Sequence, residues 1–116
     1  MTTARTIGLG ALALALASCA APRGGDPSAY DRLTGYDVQL AAGSLQETLE
    51  GARDGETRTR RNYMSGNEGA ITPTRTYLSE GGYFCRDYRE ELTVDGGASA
   101  FSHSACRNEA GRWVWL

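Results

Sequence analysis

The side chains with reactive chemistry are few, and their spacing restricts what they can do. His103 is the one histidine, and it stands between Ser102 and Ser104. Neighbours along a strand project to opposite faces, so neither hydroxyl can pass its proton to this ring. Glu90 and Glu91 are adjacent and diverge in the same way, whereas a glycosidase pair needs two carboxyls facing one gap of about 5–9.5 Å. A zinc site wants His, Cys or carboxylate ligands in near-tetrahedral array, and no such set is gathered along the chain. There is no Gly-rich phosphate loop and no nucleophile elbow. The reading is therefore of a non-enzyme with no catalytic residue, no metal and no cofactor.

Three cysteines remain, at positions 19, 85 and 106. The last two flank "VDGG", where Asp95-Gly96 is a favoured two-residue type I′ hairpin loop. Pairing Val94 with Gly97 and counting outward brings Cys85 opposite Cys106 at a non-hydrogen-bonded position, with Cα atoms about 4.5 Å apart, within disulfide range. The same register gathers Phe84, Tyr88, Leu92 and Val94 with Phe101 and Ala105 on one face. The other face takes Asp87, Arg89, Glu91, Ser102 and Ser104. A three-residue loop through Gly97 is the competing register, and a reactive or metal-binding pair is the competing chemistry. A disulfide here would close a loop of about 20 residues and contribute roughly 3 kcal/mol.

The most distinctive surface motif is "TRTRRNY". On a strand Arg58 and Arg60 share a face while Arg61 points away. With Arg75 on the next strand they would make a small cationic patch for phosphate or carboxylate groups, such as those of lipopolysaccharide or peptidoglycan. The plainer expectation is cross-strand pairing with acidic neighbours. Trp113 and Trp115 share a face of the last strand and are expected in the core, because a small domain needs its large side chains inside.

Positioning these groups falls to one helix and a run of strands. In residues 37–52, Val38, Ala41, Leu45, Leu49 and Ala52 trace one apolar stripe, with Thr34 or Asp37 as cap and "GARDGE" as stop. Beyond Gly55 the pattern turns to period two, and five short β-rich segments alternate with Gly-rich turns. Pro73 confines the second segment to an edge, a bulge or a strand start. The expected fold is α+β, one N-terminal helix packed on a four- to five-stranded antiparallel meander over residues 37–116.

The N-terminus reads as an export signal over residues 1–18, with Arg5 ahead of an apolar run from Ile7 to Ala17. That run is too short for a bilayer span of about 20 residues. Leu16-Ala17-Ser18-Cys19 resembles a bacterial lipobox, which makes Cys19 the lipidated residue and the membrane the first partner. An ordinary signal peptide with a chance cysteine is the alternative. Ala20 after the cysteine implies the outer membrane in that class. Residues 19–36 are Gly- and Pro-rich and read as a flexible tether, of typical span roughly 20–24 Å. All 12 basic residues are arginines, against 14 acids. That balance argues against a nucleic-acid partner, which calls for a basic footprint.

Three ordered motifs carry a resemblance. Thr72 to Tyr77 ("TPTRTY"), Cys85 to Tyr88 ("CRDY") and Ala105 to Trp113 ("ACRNEAGRW") resemble the C-terminal domain of the bacterial 17-kDa surface antigen lipoproteins. The chain departs from that family in having no glycine-zipper segment ahead of the domain, and in placing Arg60 where many relatives carry Trp. The resemblance implies an outer-membrane lipoprotein, facing the periplasm or the exterior, that acts as a structural or binding module of the envelope, with an envelope protein or polymer as further partner. The alternative is a small accessory, either a hydrolase inhibitor or an outer-membrane assembly partner.

Overall fold

In the computed structural model, residues 23–116 are described; the expected signal segment and Cys19 lie outside them. The chain orders as β1 (Arg23–Gly24), α1 (Ser28–Asp31), α2 (Gly35–Gly51), β2 (Arg58–Arg61), β3 (Glu68–Leu78), β4 (Phe84–Val94), β5 (Gly97–Arg107) and β6 (Trp113–Trp115). Helix α2 starts where Thr34 and Asp37 form a reciprocal capping box: the Asp37 N–H donates to Thr34 Oγ1 and the Thr34 N–H to Asp37 Oδ2. It stops at Gly51, with Ala52 extended beyond it.

Strands β2 to β5 form an antiparallel meander, and β6 returns onto β5. The β4–β5 loop is the expected tight turn, with positive φ at Asp95 and Gly96 and Val94 paired with Gly97. Cys85 faces Cys106 with Cα atoms 3.9 Å apart, and the two are joined in a disulfide. The α+β fold and its staple are as the sequence implies.

Pro73 sits at a bulge. The β3–β4 register slips by one residue between Pro73 and Arg75, as a residue without an N–H invites. Gly69, Ile71 and Pro73 face α2, whereas Arg75 and Tyr77 turn to the outer face with their partners Asp87 and Cys85.

The inner face holds two apolar clusters. Under α2 lie Leu49, Ile71, Tyr88, Ala105 and Trp113, with Leu45 at the margin. Toward the β4–β5 turn lie Leu92 and Val94, covered by Ala29, Tyr30, Leu33 and Phe101. The second cluster corrects the expected tether. Residues 23–36 are built into the domain: β1 pairs in parallel with Ser99 and Ala100 of β5, and Ala29 is fully buried. The cause is area, because α2 reaches only half of the inner face and the preceding segment covers the rest. Gly25 permits the close pass, since a Cβ there would lie 2.3 Å from the Phe101 ring.

Three more expectations shift. Val38 is exposed, because the helix meets the sheet through Leu45, Thr48, Leu49 and Ala52 and its first turn docks instead through buried Asp37. Phe84 lies at the very end of β4, opposite Leu78, and is exposed. Trp113 is buried, but Trp115 is 58% exposed at the sheet edge. That edge is partly closed by α2: the Gln46 amide donates to the Trp113 carbonyl (2.7 Å) and accepts from the Trp113 N–H (2.8 Å). No helix among the described residues is long and apolar enough to cross a membrane.

Candidate functional site

Between the two apolar clusters the inner face carries charge. Glu90, in the middle of β4, points inward from a face otherwise made of Tyr88, Leu92 and Val94. Its Oε1 accepts the Tyr30 hydroxyl proton, and His103 Nε2 lies 3.5 Å from the same oxygen. His103 Nε2 is also 2.9 Å from the Tyr30 oxygen. Glu90 Oε2 faces Arg60 Nη2 at 3.7 Å, and both side chains are nearly covered. The Arg60 guanidinium lies flat on Gly69, where a Cβ would come within 2.3 Å of Cζ. Aromatic rings wall the group: Phe101 and Trp115 lie nearly parallel to the His103 imidazole, at 6.0 and 5.2 Å. Trp115 Nε1 donates to the Tyr88 hydroxyl.

The electrostatics are those of a closed network. Burial, with Glu90 beside it, drives the Tyr30 phenol far above its ordinary range, so it stays protonated and donating. Burial pushes Tyr88 up to about 12. Burial also lowers Arg60, which Glu90 holds charged. Within the cluster Arg60 Nη1 is buried without a hydrogen-bond partner. Ser102 lies opposite Arg89 and Ser104 opposite Asp87 on the far face of the sheet, away from the imidazole. This arrangement can neutralise a buried carboxylate and pin Tyr30 to the sheet.

A second buried acid organises the end of the sheet. Asp37 Oδ1 accepts from Asn62 Nδ2 (2.7 Å) and Ser65 Oγ (2.8 Å). Its Oδ2 accepts from Asn67 Nδ2 (2.8 Å) and the Thr34 N–H (2.8 Å). Burial alone would raise this carboxyl, but the four donors outweigh it and hold it well below the usual range. The same turn is tied to the next, since the Asp95 N–H donates to Asn67 Oδ1.

The structure does not bring Arg58, Arg60 and Arg75 together. Arg60 turns inward to Glu90. Arg58 shares its strand face but pairs with Glu56 at 2.9 Å. Arg75 lies on the opposite face, 3.4 Å from Asp87 and over the Tyr77 ring, because the bulge at Pro73 reverses its side. A cleft of about 720 Å³ runs along that outer face past Asp87, Arg89, Ser102 and Ser104, and its lining also takes in Tyr88, His103 and Trp115 of the network. Its charged groups are paired with neighbours: Asp87 with Ser104 and Arg75, Arg89 with Glu91. Among the described residues no three His, Cys, Asp or Glu side chains are placed to hold a metal. Sequence reasoning misses Arg60, Arg86 and Glu90 as interior groups. Arg86 donates to the Leu49 carbonyl and to Asp54, fixing the end of α2. Charged residues at even positions of a strand whose even face is apolar are the available signal.

The region from the end of α2 through β6 has known counterparts. The model of one protein family, described as 17 kDa outer membrane surface antigen, matches residues 47–114. The chain belongs to this family. The 17 kDa surface antigens of Rickettsia bellii and Rickettsia conorii are each 35% identical over 77 residues, and that of Rickettsia prowazekii is 34% identical. These matches cover 66% of this chain and 48% of each relative, so the chain spans about half the length of the surface antigens it resembles. No solved structure matches. The family match takes in Arg60, Glu90 and His103 but not Tyr30, so the buried network joins the surface antigen domain to a segment ahead of it.

Proposed function

We propose that this surface antigen family member is an exported outer-membrane lipoprotein, cleaved after residue 18 and anchored by acyl chains on Cys19. It serves as a non-enzymatic structural or binding module of the envelope. The observation that carries the reading is a short distance along the chain: β1 opens at Arg23, so only Ala20, Ala21 and Pro22 separate it from the cysteine of the lipobox-like motif. So short a separation supports attachment of the domain close to a membrane surface. One acyl chain gives only marginal binding, and several make it lasting. The test is membrane fractionation with mass analysis of the N-terminal peptide. An acylated Cys19, and release of Cys19→Ser into the soluble fraction, are the expected results. A Cys19→Ser protein that still sediments with membranes refutes the anchor.

A second reading, an accessory gripping one envelope protein, draws support from the disulfide end of the sheet. There Leu78, Phe84, Val114 and Leu116 are exposed. Crosslinking in intact cells separates the two: one dominant captured protein favours the accessory, and diffuse or absent capture favours the module.

A further inference from the structure

We infer that one pole of the domain rests on the bilayer, with Tyr63 and Met64 as the side chains that enter the lipid interface. The inference rests on the Cys19 anchor proposed above and adds which surface meets the membrane.

The argument begins with strand direction. β1 runs parallel to β5, with Arg23 beside Ser99 and Gly24 beside Ala100. Its N-terminal end, Arg23, therefore faces the Asp95–Gly96 turn. From Cys19 to Arg23 the backbone can span at most about 14 Å. An anchor at Cys19 holds this pole at the membrane, while the disulfide end points away.

The same pole carries the most exposed apolar side chains among the described residues. Tyr63 is 87% and Met64 92% exposed, at the tip of the β2–β3 turn. The tip sits beside the β4–β5 turn, through the Asp95 contact to Asn67 and the pairing of Glu68 with Thr93. It is also a fixed tip. The Asn62 carbonyl accepts from the Gly66 N–H, its side chain accepts from the Met64 N–H, and its amide is bonded to Asp37. A rigid turn holding a tyrosine and a methionine in water gains no folding energy from burying them, whereas the interface suits both. Tyrosine is enriched at that depth, with its ring in the apolar layer and its hydroxyl in water. The guanidinium of Arg61 lies 5.4 Å from the Tyr63 ring centre, at the base of the tip.

Charge attraction is not the source of the contact. Arg61 pairs with Glu68, and Arg32 lies near Asp26 and Asp95. The contact then persists on zwitterionic lipid and at high salt.

The test uses the acylated full chain in phosphatidylcholine vesicles, with and without brominated acyl chains. Tyr63→Trp reports the proposed pole and Phe84→Trp the opposite one, each read above the emission of the native tryptophans. Both sites are exposed, so the fold tolerates the ring. Brominated lipid should remove most of the added emission of Tyr63→Trp and leave that of Phe84→Trp, unchanged at high salt. Co-sedimentation with vesicles but no difference between the two reporters overturns the orientation and leaves the anchor standing. The orientation is equally overturned if Tyr63→Trp is unquenched on vesicles yet shielded in cells, which assigns the tip to a protein partner. Failure to co-sediment overturns the anchor and this inference with it.

Discussion

Replacing Asp37 with alanine tests whether one buried carboxylate joins the helix start to the sheet. The carboxylate accepts four hydrogen bonds, from Thr34, Asn62, Ser65 and Asn67. Asn62 and Asn67 are both buried, so deletion leaves two amide donors without an acceptor, at about 1–3 kcal/mol each. It also removes half of the capping box, about 1 kcal/mol. Terms that share one network do not add fully, so the expected loss is about 4 kcal/mol, a large part of the ~5–10 kcal/mol of a domain this size. In urea the midpoint should fall by about 3 M at a slope near 1.3 kcal/mol per molar. Asp37→Asn should also be costly, since the new amide NH2 must confront the Asn62 amide at one oxygen position, or the Asn67 amide and the Thr34 N–H at the other. The pH dependence follows in sign. The folded carboxyl titrates below its unfolded value near 3.9, so its contribution is present above about pH 4 and is lost as pH falls below it. The wild type should weaken more steeply over that acid limb than Asp37→Asn. A loss under about 1 kcal/mol in Asp37→Ala, with exposed Val38→Ala as control, would refute the claim that this carboxylate holds the two elements together.

Reducing the Cys85–Cys106 bond, or replacing both cysteines by alanine, should cost roughly 3 kcal/mol in a denaturation experiment; free thiols in non-reducing mass mapping would remove the staple altogether. Glu90→Ala strands the Arg60 cation inside and should cost about 3–5 kcal/mol, with much of the loss recovered in Glu90→Ala combined with Arg60→Met; a double-mutant cycle measures the coupling. Gly43→Ala, in open space mid-helix, should stabilise by about 1 kcal/mol. Gly69→Ala must displace the Arg60 guanidinium and should destabilise by about 1–3 kcal/mol; equal thermal shifts at the two glycines would disprove the close packing there.

What is legible in the sequence is what local geometry decides. Asp95-Gly96 sets a two-residue loop, strand alternation sets the faces, and together they place Cys85 against Cys106 without knowledge of the rest. Where one residue or one distant surface decides, the pattern misleads. The bulge beside Pro73 is among its allowed roles, but its consequence, sending Arg75 to the face opposite Arg60, depends on which side of Pro73 the register slips. An apolar stripe through Val38 counts only apolar residues as docking groups, whereas Asp37 docks the first turn through donors from another element. Residues 23–36 have the composition of a linker. They fold because the inner face beyond α2 would otherwise leave Leu92, Val94 and Phe101 uncovered, a deficit that composition does not record.

Under the proposed anchor, which would gather copies on one membrane, the Gln46 side chain beside Trp113 acquires a meaning. Confinement to a surface raises the local concentration of like molecules, and a bare strand margin is a template on which a neighbour can extend the ladder. A primary amide offers one donor and one acceptor in the spacing of a peptide group, and here both are engaged by Trp113. Part of the margin is thereby answered from within the molecule. Crowded side by side, such domains can stay individually folded, each already paired with itself where a neighbour would begin to pair.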